Sequence, residues 1–104
     1  MTSDRLLTKI KSCLKRVYRD RLCGIILYGS EARGESTPDS DIDIIVLLEG
    51  KIDYSKEVRT CIHALYSLIL ELGRSISPVI VDIDEYNAAE WPLYRNARRE
   101  GIMV

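Results

Sequence analysis

Two apolar runs separated by a polar, glycine-bearing stretch limit what this chain can fold into. The runs are LCGIILY at 22–28 and DIDIIVLL at 41–48. Each is short and rich in aliphatic residues, which reads as a strand. Gly29 to Ser40 lies between them and is rich in Gly, Ser, Thr, Pro and Asp. That composition predicts a loop, with one helical turn around Ser30 to Arg33. A connection of this length lets the two strands pair antiparallel.

The chemistry sits where the strands meet the loop. Gly29-Ser30 follows the first strand directly, and ten residues later Asp41-Ile42-Asp43 opens the second. Glycine permits unusual torsions and close backbone approach. A helical turn starting at Ser30 would present free backbone N–H groups to an anion such as a nucleotide triphosphate. Alone, the dipeptide would read as an ordinary strand-to-helix turn capped by Ser30. Asp41 and Asp43 are two apart on a strand, so both carboxylates share one face. Their Cα atoms lie roughly 6.5–7 Å apart at the rise of a strand. Carboxylates so placed can converge on Mg²⁺, with phosphate oxygens and waters completing its shell. Alone, they would read as a solvated strand start. The two elements together, at this spacing, favour a metal-assisted nucleotide site.

Helical periodicity brackets this pair. Leu6, Leu7, Ile10, Cys13, Leu14 and Val17 predict a first helix ending near Asp20, capped by Thr2 or Ser3. A second helix is expected from about Asp53 to Leu72, with the stripe Val58, Cys61, Ile62, Leu65, Leu68, Ile69 and Leu72, and Gly73 as its stop. ISPVIVDI at 76–83 reads as a third strand, and Pro78 places it at a sheet edge. The helical crossover allows strands two and three to run parallel. Further helices are expected from Asp84 to about Glu90 and from Pro92 to Gly101. The fold class is therefore α/β (α+β), a small mixed sheet flanked by helices.

Composition closes off several classes. With 104 residues, 46% hydrophobic and 30% charged, the sequence reads as one globular domain spanning 1–104. Lys+Arg 15 against Asp+Glu 16 gives a net charge of -1, which argues against a dedicated nucleic-acid surface. Cys13, Cys23 and Cys61 form no metal-ligand cluster and are expected as buried small hydrophobes. MTSDRLLTKI contains no long apolar stretch, so neither export nor membrane association is expected, and the location expected is cytoplasmic. His63 falls off the apolar stripe and is expected at the surface.

The run Gly29-Ser30-Glu31-Ala32-Arg33-Gly34, followed by Ser40-Asp41-Ile42-Asp43-Ile44-Ile45-Val46, resembles minimal nucleotidyltransferases of the polymerase-β-type superfamily. The shared pattern is GSxARGxxxxxSDIDxxV, and the ending EYNAAEWPLYRNARREGIMV is similar to their closing helices. The resemblance implies ATP or another NTP as donor and two Mg²⁺ ions. It assigns Gly29 and Ser30 to phosphate binding, and Asp41 and Asp43 to metal binding and catalysis. The reaction implied is in-line displacement at the α-phosphate with pyrophosphate leaving.

Active relatives add a third carboxylate from a later strand, which positions metal and activates the acceptor hydroxyl. Here Asp82 is the only acid within the apolar part of strand three. Registered against the family's usual ending, the acid is expected near Ser77 or Pro78, and Asp82 alternates to the face opposite Ser77. Asp82 is thus either a catalytic acid brought in by a bulge or a strand-end cap with Asp84. Arg33 is open between phosphate contact and a solvated loop. Arg95, Arg98 and Arg99, with Trp91 and Tyr94, are open between a helix-dipole complement and an interface.

A sequence of 104 residues is expected to carry no extra lobe for an acceptor, so that surface is expected to come from another protein, another copy or the substrate. Minimal nucleotidyltransferases resembling this one pair with HEPN-domain RNase toxins. The implied function is AMP transfer from ATP to a hydroxyl of such a partner, as antitoxin. The alternatives are a binding module that neutralises by contact alone, or transfer to a small molecule such as an aminoglycoside.

Overall fold

The computed structural model describes residues 3–29, 34, 37, 39–88 and 102–103. Helix α1 spans Ser3–Tyr18 and passes through a single 3-10 turn, Arg19–Arg21, into β1 at Leu22–Tyr28. Strand β2 is Ile42–Leu48, helix α2 is Tyr54–Leu72 and strand β3 is Ile76–Asp82. Helix α3, Ile83–Ala88, follows at once, and Ile102–Met103 forms a short β4. The sheet order is β3-β2-β1-β4.

β1 and β2 pair antiparallel, and β2 and β3 pair parallel across the α2 crossover. Pro78 lies in β3, an edge strand, where its missing N–H costs no ladder bond on the open side. α2 is bounded by its own chemistry. Asp53 caps its start by accepting the Lys56 N–H at 3.3 Å, and Gly73 stops it in the left-handed conformation at φ 66°.

β2 is central, and every residue from Ile44 to Leu48 is fully buried. One face carries the larger core, where Leu7, Ile10 and Leu14 of α1 and Cys61 and Leu65 of α2 meet Ile44 and Val46. The opposite face carries a smaller cluster of Ile26, Ile45, Leu47, Val81 and Tyr86. Helices therefore cover both faces unequally, with α1 and α2 on one and the short α3 on the other.

Four expectations need correction or completion. The inward row of α2 is Glu57, Cys61, Leu65 and Leu68, whereas Val58 and Ile62 are 38% and 36% exposed. Glu57 takes an inward position because its charge is met locally: it accepts from the Asp53 N–H at 3.4 Å and lies 3.6 Å from Arg21. Its backbone carbonyl accepts from the Tyr18 hydroxyl. Cys23 is exposed, not buried, because the β1–β2 register shifts between Leu22 and Gly24 and a bulge turns it outward. Cys13 is only partly covered. Ile102–Met103 pairs with Leu27 and Ile26, adding a strand that the sequence reading left as a tail. The turn predicted at 30–33 and the helix predicted from Pro92 to Gly101 lie outside the described residues.

Candidate active site

The motif's two halves meet at one end of the sheet. Tyr28, the last residue of β1, pairs with Asp43 of β2, and Gly29 follows immediately. Gly29 has φ 71°, a conformation that side-chain-bearing residues rarely adopt. A Cβ built on it would lie 3.0 Å from Asp43 Oδ2. The glycine backbone thus lies directly against one carboxylate oxygen, in space that any side chain would occupy. Ser30 and Arg33 lie outside the described residues.

Asp41 is exposed, just before β2, and Asp43 is half-buried within it. Asp43 is two residues before Ile45, so it shares the face of the smaller cluster, away from α1 and α2. Burial pushes the Asp43 carboxyl above the usual carboxylate range, and the neighbouring Asp41 charge adds to the shift. Burial likewise raises the Tyr28 hydroxyl, with the charge of Asp43 contributing. A carboxylate whose charge is opposed by burial and by a neighbouring carboxylate is suited to share a divalent cation. Among the described residues no group of three or more His, Cys, Asp or Glu converges on one point. Among the described residues, the carboxylates of Asp41, just before β2, and Asp43, within it, could hold a hard cation that keeps waters and phosphate oxygens.

The segment ahead of Asp41 is braced. Thr37 donates its N–H to the Ser40 hydroxyl at 3.0 Å, and Ser40 donates its own N–H back to the Thr37 carbonyl at 3.0 Å. Arg74 Nε donates to the Ser40 carbonyl at 2.9 Å. The Ile42 N–H donates to the Ser75 carbonyl at 2.9 Å, locking the start of β2 to the start of β3. Ser40 and Arg74 thereby fix where the two aspartates begin.

The third-acid question is answered by register. Asp43 stands beside Ser77 of β3, and parallel neighbours share a face. Asp82 stands beside Leu48, five residues further along, or about 16 Å at the rise of a strand. It accepts the Asp84 N–H at 2.7 Å and so caps α3, as the bland alternative required. Asp82 cannot reach the site, and a serine occupies the position beside Asp43.

Tyr28 and the Ser40–Arg74 brace were not singled out by sequence reasoning. Tyr28 had a signal: in a hairpin closed by this loop, the residue before Gly29 falls opposite the second aspartate. His63 is exposed on α2, as expected.

Comparison with known proteins agrees with this fold. The family model described as Polymerase beta, Nucleotidyltransferase matches residues 8–104. A Methanocaldococcus jannaschii protein with the provisional name protein adenylyltransferase is 32% identical over 105 residues, covering 100% of this chain and 99% of its own. A solved toxin-antitoxin structure with AMP-PNP shares the fold at TM-score 0.62 and 24% identity, over 91% of this chain and 69% of that one. A mutant MntA-HpeT toxin-antitoxin structure does so at TM-score 0.58 and 21% identity, over 100% and 72%. This chain is a nucleotidyltransferase and belongs to the polymerase β nucleotidyltransferase family.

Proposed function

We propose that this chain transfers AMP from ATP to a hydroxyl of a partner protein, and that the partner is a HEPN-type RNase toxin which it restrains as antitoxin. The observation that carries the reading is the side-chain-free approach of Gly29 to Asp43 Oδ2. It supports a site in which a phosphate chain passes the glycine backbone while the carboxylates face it. In this reading Gly29 and Ser30 receive the phosphates, and Asp41 and Asp43 hold Mg²⁺. Bound there, Mg²⁺ would supply charge neutralisation and polarisation of the phosphoryl oxygens. Tyr28 stands beside Asp43 across the β1–β2 pair, and Ser40 with Arg74 braces the segment that leads into the aspartates. The relative named as a protein adenylyltransferase and the toxin-antitoxin structure with AMP-PNP support the donor and the kind of partner.

A second reading is neutralisation by contact alone. Ser77 beside Asp43 favours it, because no described carboxylate in the site is left to accept the acceptor's proton. Co-expression with a neighbouring HEPN protein, followed by intact-mass measurement of that protein, separates the two. An added adenylyl group that disappears in Asp41→Asn and Asp43→Asn supports transfer. Neutralisation that persists in both variants, with no mass change, replaces it with contact alone.

A further inference from the structure

Asp41 and Asp43 reach their places by different means. Asp43 lies inside β2, where it pairs with Tyr28 on one side and Ser77 on the other. Asp41 is exposed and precedes the strand, and the register with β3 begins only at Ile42 beside Ile76. The direction of its carboxylate therefore depends on its own two backbone torsions as well as on its side chain. Both neighbouring peptide groups are held by one short turn. The Ser40 carbonyl, in the peptide that leads into Asp41, accepts from Arg74 Nε at 2.9 Å. The Ile42 N–H, in the peptide that leaves Asp41, donates to the Ser75 carbonyl at 2.9 Å. Because peptide groups are planar, holding the one before a residue and the one after it restricts both of that residue's torsions. Gly73, at φ 66°, ends α2 directly before Arg74 and so starts this turn.

We infer that Arg74 is a positioning residue for Asp41: its Nε–H, by holding the Ser40 carbonyl, aims the Asp41 carboxylate at the cation that Asp41 and Asp43 would share. The inference rests on the reading of Asp41 as a metal ligand. Arg74 is half-buried and lies 34 positions from Ser40 in sequence, so the bond ties the end of α2 to the start of β2. Its acceptor is a backbone carbonyl, which has no charge to pair, so the role belongs to the donor atom and its reach. Groups that orient a metal's ligands from outside the coordination shell change metal affinity by about 10–100-fold. β2 carries a matched bond at its opposite end, where Arg21 Nε donates to the Glu49 carbonyl at 3.1 Å. That bond is of the same kind and lies away from both aspartates, which makes it a control for loss of stability alone.

The test uses the full chain, with Mn²⁺ as the probe metal and its affinity read by electron paramagnetic resonance in the presence of AMP-PNP. Arg74→Met keeps the length of the stem and puts a methyl group where Nε stood. Arg74→Gln puts an amide N–H donor at the same distance along the side chain, without the charge. Arg74→Met should weaken Mn²⁺ binding by about tenfold, whereas Arg74→Gln should stay within about threefold of the parent. Added to Asp41→Asn, Arg74→Met should cost nothing more, because both act through one carboxylate. Arg21→Met should leave Mn²⁺ affinity unchanged. Thermal melting of each variant keeps loss of folding separate from loss of affinity. Undiminished binding in Arg74→Met, equal weakening by Arg74→Gln, or equal weakening by Arg21→Met overturns the inference while Asp41 stands as a ligand. If Asp41→Asn itself binds Mn²⁺ as the parent does, the ligand reading falls and takes the inference with it.

Discussion

The parallel pair β2–β3 carries aspartates at both ends, and the ends do different work. At one end Asp43 stands beside Ser77, with Gly29 against it and Asp41 just ahead. At the other, Asp82 stands beside Leu48 and spends an oxygen on the Asp84 N–H. The first carboxylate keeps its charge at a cost, raised by burial and by its neighbour. The second is engaged in a local hydrogen bond that begins a helix. The same residue type, on adjoining strands, is a candidate ligand where its partners are like-charged and open, and a cap where a backbone N–H is in reach. What separates the roles is register along the pair, not residue identity.

Substitution can break this contrast outright. Asp43→Asn or Asp41→Asn should reduce adenylyl transfer about a hundredfold or more, since the metal's charge stabilisation is worth several kcal/mol. Asp82→Asn should leave it within about twofold of the parent. An assay in which Asp82→Asn also abolished transfer would erase the distinction between the ends. Next in size is Gly29→Ala, which combines a left-handed backbone with a Cβ aimed at Asp43 Oδ2. It should destabilise by about 1–2 kcal/mol on backbone grounds and weaken nucleotide binding about tenfold by calorimetry. Ser77→Asp sharpens the contrast by making the open end more acidic. Mg²⁺ affinity should rise several-fold while the metal-free melting temperature falls, because a third like charge then faces Asp43. Asp82→Ala should cost about 1 kcal/mol of stability, the worth of a helix cap, with no change in Mg²⁺ affinity.

The smallest effect is a titration. The folded Asp43 carboxyl sits above its unfolded value, so its charge opposes folding above the folded pKa. That opposition is relieved as pH falls through the folded pKa, the reverse of the usual salt-bridged aspartate. Metal-free Asp43→Asn should therefore match or slightly exceed the parent in thermal stability at neutral pH. Mg²⁺ affinity of the parent should decline as the pH drops through the same range, because proton and metal compete for one oxygen pair.

Much of this was readable from the sequence. Runs 22–28, 41–48 and 76–83 lie within a residue of the observed strands, because continuous apolar stretches bounded by Gly, Pro and Asp leave little choice. Pro78 correctly marked an edge, and Gly73 a helix stop. The side of α2 that turns inward was not readable. Its apolar arc is broad enough for two rows, and periodicity cannot say that Glu57 is admitted with Arg21 nearby while Val58 and Ile62 stay out. The bulge at Cys23 and the pairing of Ile102–Met103 are decided by contacts distant in sequence, so no local signal carried them. Of the site, Gly29, Asp41 and Asp43 were visible as a pattern. The closeness of Gly29 to Asp43, and the bracing of Ser40 by Arg74, needed three dimensions.

The bulge at Cys23 also makes the chain its own measuring instrument. It leaves one thiol exposed, while Cys61 is buried and pushed up to about 11 by burial. Cys13 is half-covered and can be replaced by serine. Thiol-directed labelling would then place a fluorophore on Cys23, in alkaline solution because that exposed thiol is raised as well, six residues before Gly29, or about 20 Å at the strand rise. Energy transfer from a labelled nucleotide to that dye would report occupancy of the glycine–aspartate end in real time, without a coupled assay and without touching any residue of the site.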